Sequence, residues 1–458
     1  MASQNYRDEG SPFHLKSAIL SSERLNKASV DVTSVISDID IYEDINRPFL
    51  TGRCILNDFN GVMESIGFSG DETLKLVIQK PGGYREIEKT FYLDSVINST
   101  KVNDNVETFA LHMVEDVDYL ANLENVNKSY RGKPSEILNK IIKQYFSNRT
   151  FSPVIDTNLE KESNNEMRLI IPNLNPMEAM TWVKKNSRTA EGMPYFLFTS
   201  LGGGDNIYYA DLGSLMSQLP INLSKPFRNW QAGTQYDYSS NEFQVVSYQS
   251  KNTENLYQLI RNASVGATHS FYDTVNGGES KVNLDIEEIF KRLDNSSVLS
   301  KAQRKWIYPE GSTINEKRTS SYVSEKRFTY PITKNYEDGY STTNGYNEEL
   351  DESAYEKKVI GLALTNFLEK NKMTVTVPGT VFLQNDNNYT VGNVASFYFM
   401  KNVQQTSESK GREVPLDEKR SGYYLITKTV HMFRQENYYI NMDICKLQNI
   451  ITAESDLA

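Results

Sequence analysis

The sequence predicts a β-rich α+β protein of several domains: two antiparallel β domains of the barrel or sandwich kind, a small α+β domain and an inserted lobe. Three observations carry this expectation. Apolar and polar residues alternate in runs near both ends of the chain. Two patterns of helical period stand between those runs. A stretch rich in Ser, Asn, Gly and charge interrupts the second set of strands. At 458 residues the chain has room for about three domains of roughly 150 residues each.

Residues 1–17 are polar and mixed in charge, with Gly10 and Pro12 as breakers, and read as an arm that orders only by docking. Alternation then begins at Ala28-Ser29-Val30-Asp31-Val32 and continues through Val35–Tyr42, Thr73–Ile78, Phe91–Ile97 and Val106–Met113. Gly61, Gly67, Gly70 and Pro81-Gly82-Gly83 punctuate these strands as turns. Residues 18–115 are therefore the first all-β domain.

Beyond Asp116 the period changes to that of a helix. In Lys133–Phe146 the apolar Ile137, Leu138, Ile141, Ile142, Tyr145 and Phe146 recur four residues apart, and Pro134 and Ser135 mark the start. A second helix is expected over Asn175–Arg188, where Asn175 caps, Pro176 occupies the first turn and Glu178 completes a capping box. Met193–Ser200, the turn Gly202-Gly203-Gly204-Asp205 and Asn206–Leu215 form a hairpin. These elements make residues 116–228 the middle α+β domain.

Strand patterning returns over Trp230–Ile260 and Lys372–Lys446, so residues 229–260 and 372–447 are read as the second β domain. Residues 261–371 form the inserted lobe, with a short helix near Ile286–Leu293 and a return helix over Ser353–Glu369. A polar loop spans Asn402–Ser421, and residues 448–458 are a tail. The two β regions end alike: a strand, Thr73–Ile78 or Asn393–Phe399, precedes a closing hairpin, Tyr92–Ile97 with Val106–Leu111 or Tyr424–Val430 with Tyr438–Ile444. Spacing and alternation match while identities are few, which suggests two copies of one β domain.

The chemistry the sequence offers is sparse. The 28 Tyr and 20 Phe against 4 His favour packed sheets and interfaces over acid–base work. His14, His112, His269 and His431 are scattered, with no metal-ligand spacing, and Cys54 and Cys445 stand singly, so no metal site is expected. The Gly202–Asp205 run lacks the Lys-Ser/Thr of a phosphate loop, and no Gly-x-Ser-x-Gly elbow occurs. The acidic run Asp38–Asp44 is read as a strand with a solvated acidic face, and Lys301–Lys305 beside Trp306 as a solvated helix face. A net charge of −10, from 49 basic and 59 acidic residues, opposes stable binding to nucleic acid. The opening MASQNYRDEG has no secretory pattern and no long apolar run follows, so no export signal, no membrane span and a reducing compartment are expected. No catalytic residue, cofactor or metal is assigned.

The order of parts resembles the central baseplate hub protein of contractile-tailed, T-even-like bacteriophages, a family related to the hub part of type VI secretion spikes. Four stretches carry the resemblance: Asn46–Ile78, with Pro48, Gly52, Asp58, Gly61 and Gly70-Asp71-Glu72; Ser129–Phe146; Ile170–Gln218; and Ser421–Lys446. It implies a non-enzymatic homotrimer whose six tube-like domains form a ring, joining a threefold central spike to a sixfold tail tube and lining the DNA passage. The implied partners are the spike, the tube or tube-initiator protein, the tape-measure protein and the surrounding baseplate wedge proteins, with DNA only in transit. The implied location is the virion tail, assembled in the host bacterial cytoplasm. Other readings are the hub of a contractile bacteriocin or type VI-like injection machine, a tail-associated peptidoglycan hydrolase, and a carbohydrate-binding β protein.

Overall fold

The computed structural model describes residues 11–22, 24, 28–59, 61–83, 85–103, 106–154, 167–229, 242–251, 256–272, 279–294, 313–322, 324–329, 348–349, 354–370, 372–384, 390–401, 416–434 and 437–449. Most strands pair antiparallel, and the largest sheet has 14 strands. That sheet contains the same five-stranded pattern twice. In the first, Ile36–Asp44 pairs with Thr51–Asp58, which pairs with Val106–Glu115, then Glu86–Asn103, then Glu72–Gln79. In the second, Ser247–Lys251 pairs with Lys372–Pro378, which pairs with Asn437–Asn449, then Gly422–Arg434, then Val394–Tyr398. In both, the spatial order is the first, second, fifth, fourth and third strand of the unit in chain order. Even the connection after the second strand is shared: a five-residue helix, Val62–Ile66 or Thr380–Gln384, stands there in each unit.

The inward faces correspond residue by residue. Phe91 and Leu93 occupy the positions of Tyr424 and Ile426, Leu111 and Met113 those of Met442 and Ile444, and Cys54 and Leu56 those of Val375 and Val377, all buried. A period-2 strand keeps one face only while its register holds, so this agreement is what a duplicated unit requires. Each first hairpin strand also carries an extra residue at the matching point, between Leu93 and Ser95 and between Ile426 and Lys428.

The two units are not separate sheets. Ile36–Asp44 pairs antiparallel with Gly422–Arg434, from Asp44 opposite Lys428 to Asp38 opposite Arg434, and one continuous sheet results. Two terminal boundaries differ from those read in the sequence. Ser11–Pro12 pairs with Tyr438 and Asn437, and His14–Ser22 is a strand against Glu72–Gln79, so the stretch read as an arm is sheet from Ser11. At the other end, the last strand runs to Asn449, inside the stretch read as a tail.

The middle unit has its own core, in which Ile137, Leu138, Ile141 and Ile142 of the helix Pro134–Tyr145 meet Ala179, Met180 and Val183 of the helix Pro176–Asn186. Asn175 caps the second helix: its side chain accepts from Glu178 N at 2.7 Å while Glu178 Oε2 accepts from Asn175 N at 3.2 Å. Replacing Asn175 with Ala is expected to cost about 1 kcal/mol of stability, measured as a lowered urea midpoint. Tyr195–Phe198 and Asn206–Asp211 form the expected hairpin, but Leu212–Met216 turns into a helix capped by Asp211 instead of extending the strand.

The inserted segment carries a small sheet, Glu279–Asp285 beside Gly266–Tyr272 beside Ser324–Thr329, and the helices Ile286–Asp294 and Ala354–Lys370. Leu256–Arg261, read as strand in the sequence, is a helix: Leu256, Leu259 and Ile260 follow its spacing, with Leu259 buried and Tyr257 exposed. Most of the expected strand from Trp230 onward, and Lys301–Trp306, lie outside the described residues.

Candidate functional site

The two units meet edge to edge, and the seam between them holds the buried Asp40, Glu43 and His431. Along Ile36–Asp44, Ile39, Ile41 and Glu43 share one face of the strand, and all three are buried. Glu43 Oε1 accepts from Ser200 Oγ at 3.0 Å and Leu201 N at 2.6 Å, and Oε2 accepts from Val391 N at 3.2 Å. His431 Nε2 lies 2.9 Å from Glu43 Oε1 and its Nδ1 lies 2.7 Å from the Tyr438 hydroxyl. An ionised carboxylate only accepts, so Nε2 carries the shared proton. Burial alone raises the Glu43 carboxyl; the His431 ring and the two backbone N–H groups outweigh it and hold the group below its ordinary range. One carboxylate thus fastens the first unit, the second unit and the middle hairpin together.

A second cluster repeats the device nearby. Glu115 accepts from Lys89 Nζ at 3.0 Å, Arg149 Nη1 at 3.1 Å, Leu50 N at 2.8 Å and Thr199 Oγ1 at 3.3 Å. Arg149 Nε also donates to Asp116 Oδ1 at 2.9 Å. Burial raises the Glu115 carboxyl and the two cations more than offset this, leaving it lowered. The outer face of the seam is charged too. Arg53 and Arg434 donate to Asp40 at 2.8 and 3.1 Å, and Lys428 lies 3.0 Å from Asp44. The acidic run is therefore not a solvated face: Asp40 is only 3 % exposed because Arg53 and Arg434 cover it from the neighbouring strands.

Ser200, His431 and Glu43 belong to one network, but the order of contact is not that of a nucleophile with its base. Ser200 Oγ donates to Glu43 and accepts from Thr390 N at 2.8 Å, and neither serine nor histidine reaches solvent. The arrangement fixes backbone and orients no reactive oxygen. A cavity of about 570 Å³ opens beside the middle unit, lined by Trp182, Lys184, Arg188, Tyr195, Phe271 and Leu362 among others, and includes none of the three. Burial brings the Lys184 ammonium in its wall down to about 8.

The residues weighed in the sequence fall as follows. His14 is exposed, His112 Nδ1 lies 2.7 Å from Asp94 Oδ1 at a strand surface, and His269 is buried with Nε2 3.3 Å from Ala263 O. The structure brings none of these to His431. Among the described residues no group of three metal-ligating side chains forms, Cys54 and Cys445 are both buried thiols, and no helix is long and apolar enough to cross a membrane. Gly202–Asp205 is the tip of the hairpin, with Gly202 O accepting from Arg85 Nη2 at 2.6 Å. Sequence reasoning passed over Glu43 and Glu115, although alternation places each on an apolar face, behind Ile39 and Ile41 or behind Leu111 and Met113.

No protein-family model matches the chain, and no curated protein does. Solved structures do. A tail protein from Neisseria meningitidis superposes with a TM-score of 0.52 at 10 % identity, over 95 % of this chain and 97 % of its own. A 43 kDa tail protein of prophage MuSo2 from Shewanella oneidensis gives 0.49 at 9 % identity, over 94 % and 98 %. A prophage tail protein from Listeria monocytogenes gives 0.42 at 8 %, over 93 % and 94 %. The likeness to the Neisseria protein is one of fold, and it extends over nearly the whole of both chains.

Proposed function

We propose that this chain is the structural hub of a phage tail baseplate, three copies of which close a ring joining a threefold central spike to a sixfold tail tube. The observation that carries the reading is the duplicated five-stranded unit. Three chains with two such units present six near-equivalent positions on one face, to which a sixfold tube can mate. The inserted segment lies between the first and second strands of the second unit only, where the first unit has a short link from Asp44 to Thr51. It therefore marks every other position around such a ring and supplies a threefold face for the spike. Tape-measure and wedge proteins would dock around this core, in the virion tail. The role is architectural: buried carboxylates at the seam bind backbone and cations of the chain itself.

The net charge of −10 suits a passage for DNA, since an acidic wall repels phosphate and prevents arrest in transit. The test is mass photometry of the full chain at micromolar concentration, followed by electron-microscope class averages. The expected particle has three times the 52.3 kDa chain mass and shows a ring with six density maxima around a channel. A chain that stays monomeric even with its spike present overturns the proposal.

A further inference from the structure

The seam inside the chain also specifies how one copy meets the next. In the second unit, Gly422–Arg434 pairs with Asn437–Asn449 along one edge; its other edge takes Val394–Phe397 up to Leu425 and, from Lys428 onward, the first unit's Asp38–Asp44. In the first unit, Glu86–Asn103 pairs with Val106–Glu115 along one edge, and its other edge takes Glu72–Gln79 only as far as Tyr92. Beyond that point the corresponding edge has no strand among the described residues, and residues 94–100 are all exposed. Val96 and Ile97 are 37 % and 56 % exposed there, where a sheet interior would cover them.

The complementary edge stands at one end of the large sheet. Ser247–Lys251 pairs with Lys372–Thr376 on one side and, among the described residues, ends the sheet on the other, and it holds the place in the second unit that Asp38–Tyr42 holds in the first. Its Tyr248 packs inward on Phe399, as Ile39 packs inward in the first unit. The chain therefore satisfies one seam internally and, among the described residues, leaves the two halves of an equivalent seam without a strand to pair with. Head-to-tail contacts of this kind close into rings when the rotation per contact divides a full turn.

We propose that Ser247–Lys251 of one copy adds antiparallel to residues 98–102 of the next, in the register of the internal seam. The internal pair Ile41 opposite His431 sets that register. Ile41 corresponds to Ser250 through Gly52 and Met373, and His431 corresponds to Ser99 through Ile440 and Phe109. Ser250 of one copy thus faces Ser99 of the next, and Gln249 faces Thr100. The partner is a second copy of this chain, and the inference rests on the ring proposed above, for which it names the contact.

Cysteine pairing tests it. A disulfide forms only between Cα atoms about 4.4–6.8 Å apart, and both native cysteines are buried. The full chain carrying Ser99→Cys and Ser250→Cys, oxidised mildly after assembly, is expected to run as a covalent trimer on a non-reducing denaturing gel. Each single variant is expected to run as monomer, and a mixture of the two singles as dimer at most. Ser99→Cys with Ser247→Cys, three residues out of register, is expected not to link. An oligomer of the right mass in which the Ser99 and Ser250 positions do not link, or link no better than the out-of-register pair, overturns this seam and leaves the ring standing. A chain that remains monomeric by mass photometry overturns both.

Discussion

Glu43→Gln is expected to destabilise the protein by about 3–5 kcal/mol, from the loss of hydrogen bonds to a charged oxygen, worth about 1.5–3 kcal/mol, together with a buried donor left unpaired, worth about 1–3 kcal/mol. The substitution keeps the shape of the side chain and one acceptor oxygen. It replaces the other oxygen with an amide donor, and four groups now converge on this carboxylate: Ser200 Oγ, Leu201 N, Val391 N and His431 Nε2. At least one backbone or imidazole N–H is left facing a donor in a place without water. The pH dependence separates this account from a packing defect. Glu43 is held below its ordinary range in the folded chain, while the unfolded value is about 4.3. Its contribution is therefore fully present above about 4.3 and is lost as pH falls through the lower, folded value. Urea titrations at fixed protein concentration should show the native chain losing stability along that acid limb and the Glu43→Gln variant losing less. Equal slopes, or a loss under 1 kcal/mol at neutral pH, would show that Glu43 does not hold the seam.

The seam also shows where reading a sequence stops. Alternation identified the strands and their apolar faces, because inward residues such as Phe91, Leu93, Leu111 and Met113 recur at a local period of two. The helix Pro176–Asn186 was equally legible, since Asn175, Pro176 and Glu178 act within one turn. Which strand lies beside which is not local. Glu43 and His431 are 388 positions apart, and nothing in either segment names the other. The helices Val62–Ile66 and Thr380–Gln384 were missed because five residues hold too little of a 3.6-residue period to stand out. Yet Gly61 and Gly379 precede them in turn, a shared mark of the duplicated unit. Glu43 could have been singled out by parity alone: a carboxylate on the same strand face as Ile39 and Ile41 must be buried, and a buried carboxylate needs donors. What supplied them, a histidine from the far end of the chain and a hairpin from the middle unit, only the tertiary structure reveals.

Gly379→Ala is expected to have an effect of similar size by a different route. A Cβ at this position would lie 2.1 Å from Tyr438 Cε1 and 2.3 Å from Cδ1. Neither partner has room to give. Gly379 N donates to Tyr438 O at 3.1 Å, and the Tyr438 ring is wholly buried, stacked on Phe433 at 4.3 Å. Overpacking a rigid site costs about 1–3 kcal/mol. Displacing the ring also breaks the hydroxyl contact with His431 Nδ1, and a buried group left unpaired adds about 1–3 kcal/mol. The total expected is about 2–6 kcal/mol. Tyr438→Phe isolates the second contribution, because it removes the hydroxyl and keeps the ring. Tyr438→Leu with Gly379→Ala tests the first: a smaller side chain makes space for the methyl, so the double variant should lose less than the sum of the single ones. Strict additivity in that cycle would mean that Gly379 is required for some reason other than the close approach of Tyr438. Because His431 links Tyr438 to Glu43, Gly379→Ala should also flatten the acid limb of the Glu43 titration, although the substituted residue carries no charge.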